Sequence, residues 1–112
     1  MISVAHFATA DPSFPDRARV ALEVLAARPG YLRGSLGRSS DDPGRWVLVS
    51  EWADVGSYRR GLGAYEVKLK VWPLLYEAVP DLPTSFEPLV TAAPGQSAVV
   101  RASDVTRSPD AM

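Results

Sequence analysis

The chain contains no cysteine and a single histidine, His6. The first absence excludes disulfides, a thiolate nucleophile and cysteine metal sites together, and the second excludes a multi-histidine metal centre. Charge of one sign is lacking too. Twelve basic residues face 13 acidic ones, so there is neither the electrostatic footprint of a nucleic-acid binder nor a polybasic membrane anchor. No apolar run approaches bilayer length, and Met1-Ile2-Ser3-Val4-Ala5-His6 has neither the basic start nor the long apolar stretch of a secretory leader. The expectation is a soluble cytoplasmic protein with no nucleic-acid or membrane partner, no metal and no cofactor.

What is present is enough apolar material for one domain: 112 residues, 46% hydrophobic. Ile2 to Ala8 offers two alternating sides, Ile2, Val4, His6 and Ala8 against Ser3, Ala5 and Phe7, which fits a strand. Asp11-Pro12-Ser13-Phe14-Pro15 breaks it. Ser13 or Asp16 is placed to cap a helix through Arg28, with Pro15 tolerated in the first turn and Pro29-Gly30 ending it. Tyr31 to Ser39 reads as a second strand, joined through the turn Ser40-Asp41-Asp42-Pro43-Gly44 to a third, Arg45 to Trp52. Tyr58, Leu62, Tyr65, Leu69 and Trp72 keep helical spacing, so a short helix, a break near Gly61 to Ala64 and a longer helix to Ala78, kinked at Pro73, are expected. Thr84 to Val90 closes the domain as a last strand despite Pro88. Residues 1–91 form the domain, and 92–112 are a polar tail in which only Ser97 to Val100 suits strand pairing.

The third strand is the most informative stretch. Trp46, Leu48, Ser50 and Trp52 line one side and Val47 and Val49 the other, so both sides look buried. The order strand, helix, strand, strand, helix, strand is that of a ferredoxin-like α+β sandwich, an antiparallel four-stranded sheet with helices on one face. The other face would be too apolar for water. A second copy of the chain is the economical cover, so a homodimer with sheets packed face to face is expected.

Pro29-Gly30-Tyr31, the Trp46 to Trp52 strand, Glu51-Trp52 followed by Tyr58-Arg59, and the closing Thr84 to Val90 strand resemble the antibiotic biosynthesis monooxygenase family of the dimeric α/β-barrel superfamily. The resemblance covers roughly Met1 to Val90. It implies a dimeric barrel and, for the members that are enzymes, oxygenation of polycyclic phenols to quinones without metal or flavin. The tryptophan ending the family's central strand and the tyrosine of the next helix match Trp52 and Tyr58. A later arginine is represented by Lys70, and an asparagine four residues before the tryptophan is replaced by Leu48. In the haem-degrading relatives the second tryptophan falls at Gly61 and the haem-ligating histidine near Lys68 or Lys70, which disfavours haem.

The chemistry this implies needs a substrate held as its phenolate, shielded from bulk water. Trp52 and Trp46 would stack on the rings of a small aromatic molecule, Tyr58 would hydrogen-bond its oxygen, and Lys70 or Arg33 would offset the charge. Histidine is the side chain that ordinarily titrates near neutrality, so His6 is the candidate base if it points into the cavity; a register slip would put Phe7 there. Arg59-Arg60 and Asp41-Asp42 read as solvated surface charge. Two other readings use the same fold: a non-catalytic small-molecule-binding or structural dimer, suggested by Leu48, and a polyketide cyclase.

Overall fold

The computed structural model describes residues 1–103. Strands β1 (Ile2–Ala8), β2 (Tyr31–Arg38), β3 (Arg45–Trp52) and β4 (Ser85–Phe86) form one antiparallel sheet in the order β2-β3-β1-β4. β1 and β2, joined through a helix, are separated by β3, which is the split arrangement of a ferredoxin-like α+β fold. The register sets Ala5 opposite Leu48 and Phe7 opposite Trp46 on one face, and Val4 opposite Val49 and His6 opposite Val47 on the other. Leu36 extends the first face from β2.

Helix α1 (Phe14–Ala26) begins as expected with Pro15 in its first turn, but the cap differs. The Ser13 side chain caps nothing; the Asp11 carboxylate accepts both the Ser13 N–H and its hydroxyl, each at 2.9 Å. That Asx-type turn replaces the caps expected from Ser13 or Asp16. Gly30, at φ +86°, turns the chain into β2 where any Cβ would collide with Ser57.

Three short helices follow: α2 (Val55–Leu62), α3 (Tyr65–Lys70) and α4 (Trp72–Leu75). Asp54 caps α2, its carboxylate accepting the Ser57 N–H at 2.7 Å. The break falls at Gly63-Ala64, inside the expected window. Pro73 does more than kink a continuous helix. Lacking a donor, it suits a first turn, so Val71 ends α3 and the chain restarts as α4, which stops at Leu75 and not at Ala78.

The closing strand is also divided. Pro88 interrupts the Thr84 to Val90 segment, so Ser85–Phe86 pairs with β1 while β5 (Val90–Thr91) pairs with β6 (Val99–Val100) in a separate two-stranded sheet. Strand pairing in the Ser97 to Val100 stretch is confined to its last two residues, and positions 104–112 lie outside the described residues.

The helices pack on the Ala5, Phe7, Leu48 and Trp52 face, where Phe14, Leu25, Val67, Val71 and Leu74 complete the core. The opposite face carries Ile2, Val4, Val47 and Val49, all half-buried, with His6 exposed among them. Among the described residues no helix is long and apolar enough to cross a membrane.

Candidate functional site

Trp52 ends β3 on the helix side and is almost wholly enclosed, with 1% of its surface exposed. Its indole N–H donates to Ser50 Oγ at 2.8 Å, satisfying a donor that burial would otherwise strand. Two tyrosines meet it edge-on: Tyr31 at 5.4 Å between ring centroids and Tyr58 at 5.7 Å. The far edge of the indole lies against α2, where a Cβ at Gly61 would stand only 3.0 Å from it. Gly61, disfavoured by helix propensity, is therefore what lets the helix close on the ring. Burial pushes the Tyr31 phenol above its ordinary range, so it stays protonated beside the indole.

Tyr58, in the first turns of α2, is half-buried, and its oxygen accepts a hydrogen bond from Ser3 Oγ at 3.3 Å. Its own proton remains available to a ligand. A cavity of about 200 Å³ opens beside it, walled by Val55, Ser85 and Phe86, with Arg59 and Glu87 at its sides. Glu87 accepts a hydrogen bond from Ser103 at 2.6 Å.

The structure brings Trp52 and Tyr58 together and separates the remaining candidates. His6 does not converge with them: strand alternation puts it on the opposite face of the sheet, across from Val47, and Phe7 takes the helix-side position. Arg33 is on that same open face, where its Nε donates to Glu51 at 2.6 Å. Lys70 is exposed at the end of α3 and lines neither the Tyr58 cavity nor the one beside His6. Leu48, 4% exposed, fills the layer between sheet and helices. Trp46 is half-buried against Phe14 at 5.5 Å, with the Arg38 guanidinium 5.2 Å from its ring.

A second cavity of about 360 Å³ lies beside His6, Gly37 and Val47 at the far end of the open face. A larger cleft, about 720 Å³, runs between the β5–β6 hairpin and the sheet past Arg33 and Glu51. Trp52 lies on its wall, but a ring so enclosed offers it no stacking face. Size therefore does not select the site. Among the described residues no cluster of histidine, aspartate and glutamate could hold a metal ion.

Residues 4–64, more than half of the chain, match the antibiotic biosynthesis monooxygenase family. The chain belongs to that family. No curated protein matches it. Among solved structures it is similar to SnoaB, a cofactor-independent oxygenase from Streptomyces nogalater, in a mutant form: 18% identity, 94% of this chain and 93% of that one covered, TM-score 0.63. A conserved protein from Methanosarcina mazei shares 21% identity over 75% of this chain and 84% of its own, with a TM-score of 0.60. A Pseudomonas aeruginosa protein shares 12% identity over 91% and 93%, with a TM-score of 0.58. At these identities the likeness carries the fold, and it agrees with the strand order described above.

Sequence reasoning missed Ser3, Tyr31 and Ser50 as the immediate partners of the Trp52–Tyr58 pair. Ser50 was legible in principle, since a hydroxyl two residues before a buried tryptophan on the same strand face is within reach of its indole N–H. Arg59 gave no such signal; exposed as expected, it nevertheless walls the Tyr58 cavity.

Proposed function

We propose that the protein is a cofactor-independent monooxygenase acting on a small phenolic or quinonoid aromatic compound, with Tyr58 as the group that meets the substrate oxygen. The observation that carries this reading is the Trp52–Tyr58 pair. Tyr58 is held edge-on by a buried indole, accepts from Ser3 and lines the cavity, so its hydroxyl can donate to a ligand bound there. A donor fixed in this way stabilises a phenolate without reorganising, and the Arg59 guanidinium at the same cavity offsets the charge. The proton acceptor there is the carboxylate of Glu87 and not His6. In an anthrone-type substrate the reacting methylene takes one atom of O2 and its two hydrogens leave with the other as water, so the reaction needs no external reductant.

Trp52 serves in this reading as the fixed backing of Tyr58 and not as a stacking platform, because its faces are already covered. The protein acts as a homodimer through the open sheet face, whose half-buried valines gain cover from a second copy.

The test is oxygen uptake by purified protein, verified free of metal and flavin, across a panel of anthrones and hydroquinones. Saturable uptake with quinone formation is the expected result. Binding without turnover across the panel would select the non-catalytic dimer, the reading that Leu48 favours by filling the layer where the family's asparagine would stand.

A further inference from the structure

We infer that the outer side of α3 and α4 docks the protein on an anionic lipid surface. The helical spacing that joins Tyr58, Leu62, Tyr65, Leu69 and Trp72 continues to Tyr76, but from Tyr65 onward it does not serve the core. Val67, Val71 and Leu74 do that from the opposite side of the same two helices. Tyr65 is 75% exposed, Leu69 54% and Tyr76 80%, with Trp72 half-buried among them. Bonds from the Val71 N–H to Val67 and from the Leu75 N–H to Val71 carry the helical turn across the junction, so the four side chains form one row about 17 Å long. Large apolar groups left together in water in this way mark a surface that meets something else. A second copy on the open sheet face would leave the row uncovered, because the sheet and the core lie between.

Two features point to lipid. The first is the chemistry of the row. The Trp72 indole N–H already donates to the Leu62 carbonyl at 3.0 Å and its ring meets Tyr76 edge-on at 6.5 Å, so the ring can enter an apolar medium without stranding a donor. Tyrosine and tryptophan concentrate at membrane interfaces for this reason: the ring sits among the chains and the polar end stays at headgroup level. The second feature is charge. Residues 55–76 hold Arg59, Arg60, Lys68 and Lys70 against Glu66 alone, a local excess hidden by the near-neutral balance of the whole chain, from which no membrane partner was expected. The Lys68 ammonium lies 5.5 Å from the centre of the Trp72 ring, and neither lysine makes an ion pair among the described residues. Lysine stems run along apolar surface and deliver their charge to anionic headgroups. The surface is independent of the oxygenase reading, because none of the four residues in the row lines the Tyr58 cavity.

The probe is vesicles of equal parts phosphatidylglycerol and phosphatidylcholine, compared by sedimentation with vesicles of phosphatidylcholine alone at low ionic strength. Binding at least tenfold tighter to the anionic vesicles is expected, weakening as salt screens the charges. Brominated acyl chains should quench tryptophan fluorescence in the bound protein, and Trp72→Phe should remove that quenching. Tyr65→Ser with Tyr76→Ser, both largely exposed, should leave Tm nearly unchanged and weaken binding at least tenfold. Lys68→Gln with Lys70→Gln should weaken it several-fold, whereas Arg38→Gln with Arg45→Gln, the same loss of charge at exposed positions beside the β2–β3 turn, should not. Equal affinity for the two kinds of vesicle, no binding to either, or lysine and arginine pairs that behave alike overturns the proposal. So does a tetramer in light scattering that the paired tyrosine substitution returns to a dimer, a result that would give the row to another copy of the chain. The lysine pair and the salt series stay decisive even if the tyrosine pair fails to fold.

Discussion

The two faces of the same sheet are built from alternate residues of the same strands, yet they reach opposite states of completion. On the helix face, Phe7, Leu48 and Trp52 are sealed by α1 and by the close approach of α2 at Gly61. On the open face, Val4, Val47 and Val49 stop at half-buried and His6 is exposed. One face has finished its packing within the chain. The other has apolar surface to offer, and the difference shows that a strand can be equally apolar on both sides for different reasons.

Trp52→Ala tests the sealed face most severely. Truncating a fully buried indole costs about 3–5 kcal/mol, because the lost contacts and the cavity left between Tyr31 and Tyr58 add together. Chemical denaturation should show a shift of that size, large enough to endanger the fold of a domain this small. A much smaller shift would mean that the layer collapses around the gap and that the aromatic cluster is less closely packed than its geometry indicates.

Next in size is the open face. Light scattering at micromolar concentration should give about twice the 12.1 kDa chain mass. Val49→Asp places an unpaired charge at the centre of the surface a second copy would cover, and should return the mass to one chain or unfold it. A wild-type monomer would leave the half-buried valines as a tolerated exposure and remove the reason for comparing the faces as interior and interface.

Smaller again is Tyr58→Phe. The bond from Ser3 is long at 3.3 Å, so its loss should barely move Tm, while losing a donor to the substrate oxygen should lower kcat about tenfold, the equivalent of roughly 1.4 kcal/mol. A fall in stability with unchanged turnover would make Tyr58 only an anchor between α2 and the sheet.

Much of this comparison was legible in the sequence. The alternation in Ile2 to Ala8 and Arg45 to Trp52 gave both faces correctly, because the period of a strand is fixed by its backbone. The order of elements and the resemblance gave the fold. What alternation alone left open is which face the helices choose, and His6 depended on that choice. The helices cover the side holding Phe7, Leu48 and Trp52, whose large apolar groups gain most from burial, and His6 is left outside. Pro88 and Pro73 were recognised as breakers but underestimated, since each ended one element and let the chain begin another. The Tyr58 cavity was not legible, because Ser85, Phe86 and Glu87 reach it only after the chain returns to the edge of β1.

The smallest expected effect concerns the cap that holds Tyr58 in place. The Ser57 N–H bonded to Asp54 keeps this carboxyl below its ordinary value of 3.8. A group whose folded value is depressed contributes stability above its unfolded value and loses it as pH falls through the folded one. Asp54→Ala should therefore lower Tm by a few degrees at neutral pH, with the gap to wild type closing as pH drops below 3.8. Asp54→Asn separates charge from capping: its amide oxygen still accepts the Ser57 N–H, but it does not titrate, so its Tm should follow acid less steeply than wild type over the same interval. Asp11, depressed by its bonds from Ser13, is common to all three proteins and cancels in the comparison. A constant gap between Asp54→Ala and wild type down to strong acid would show that Asp54 supports α2 through packing and not through its carboxylate.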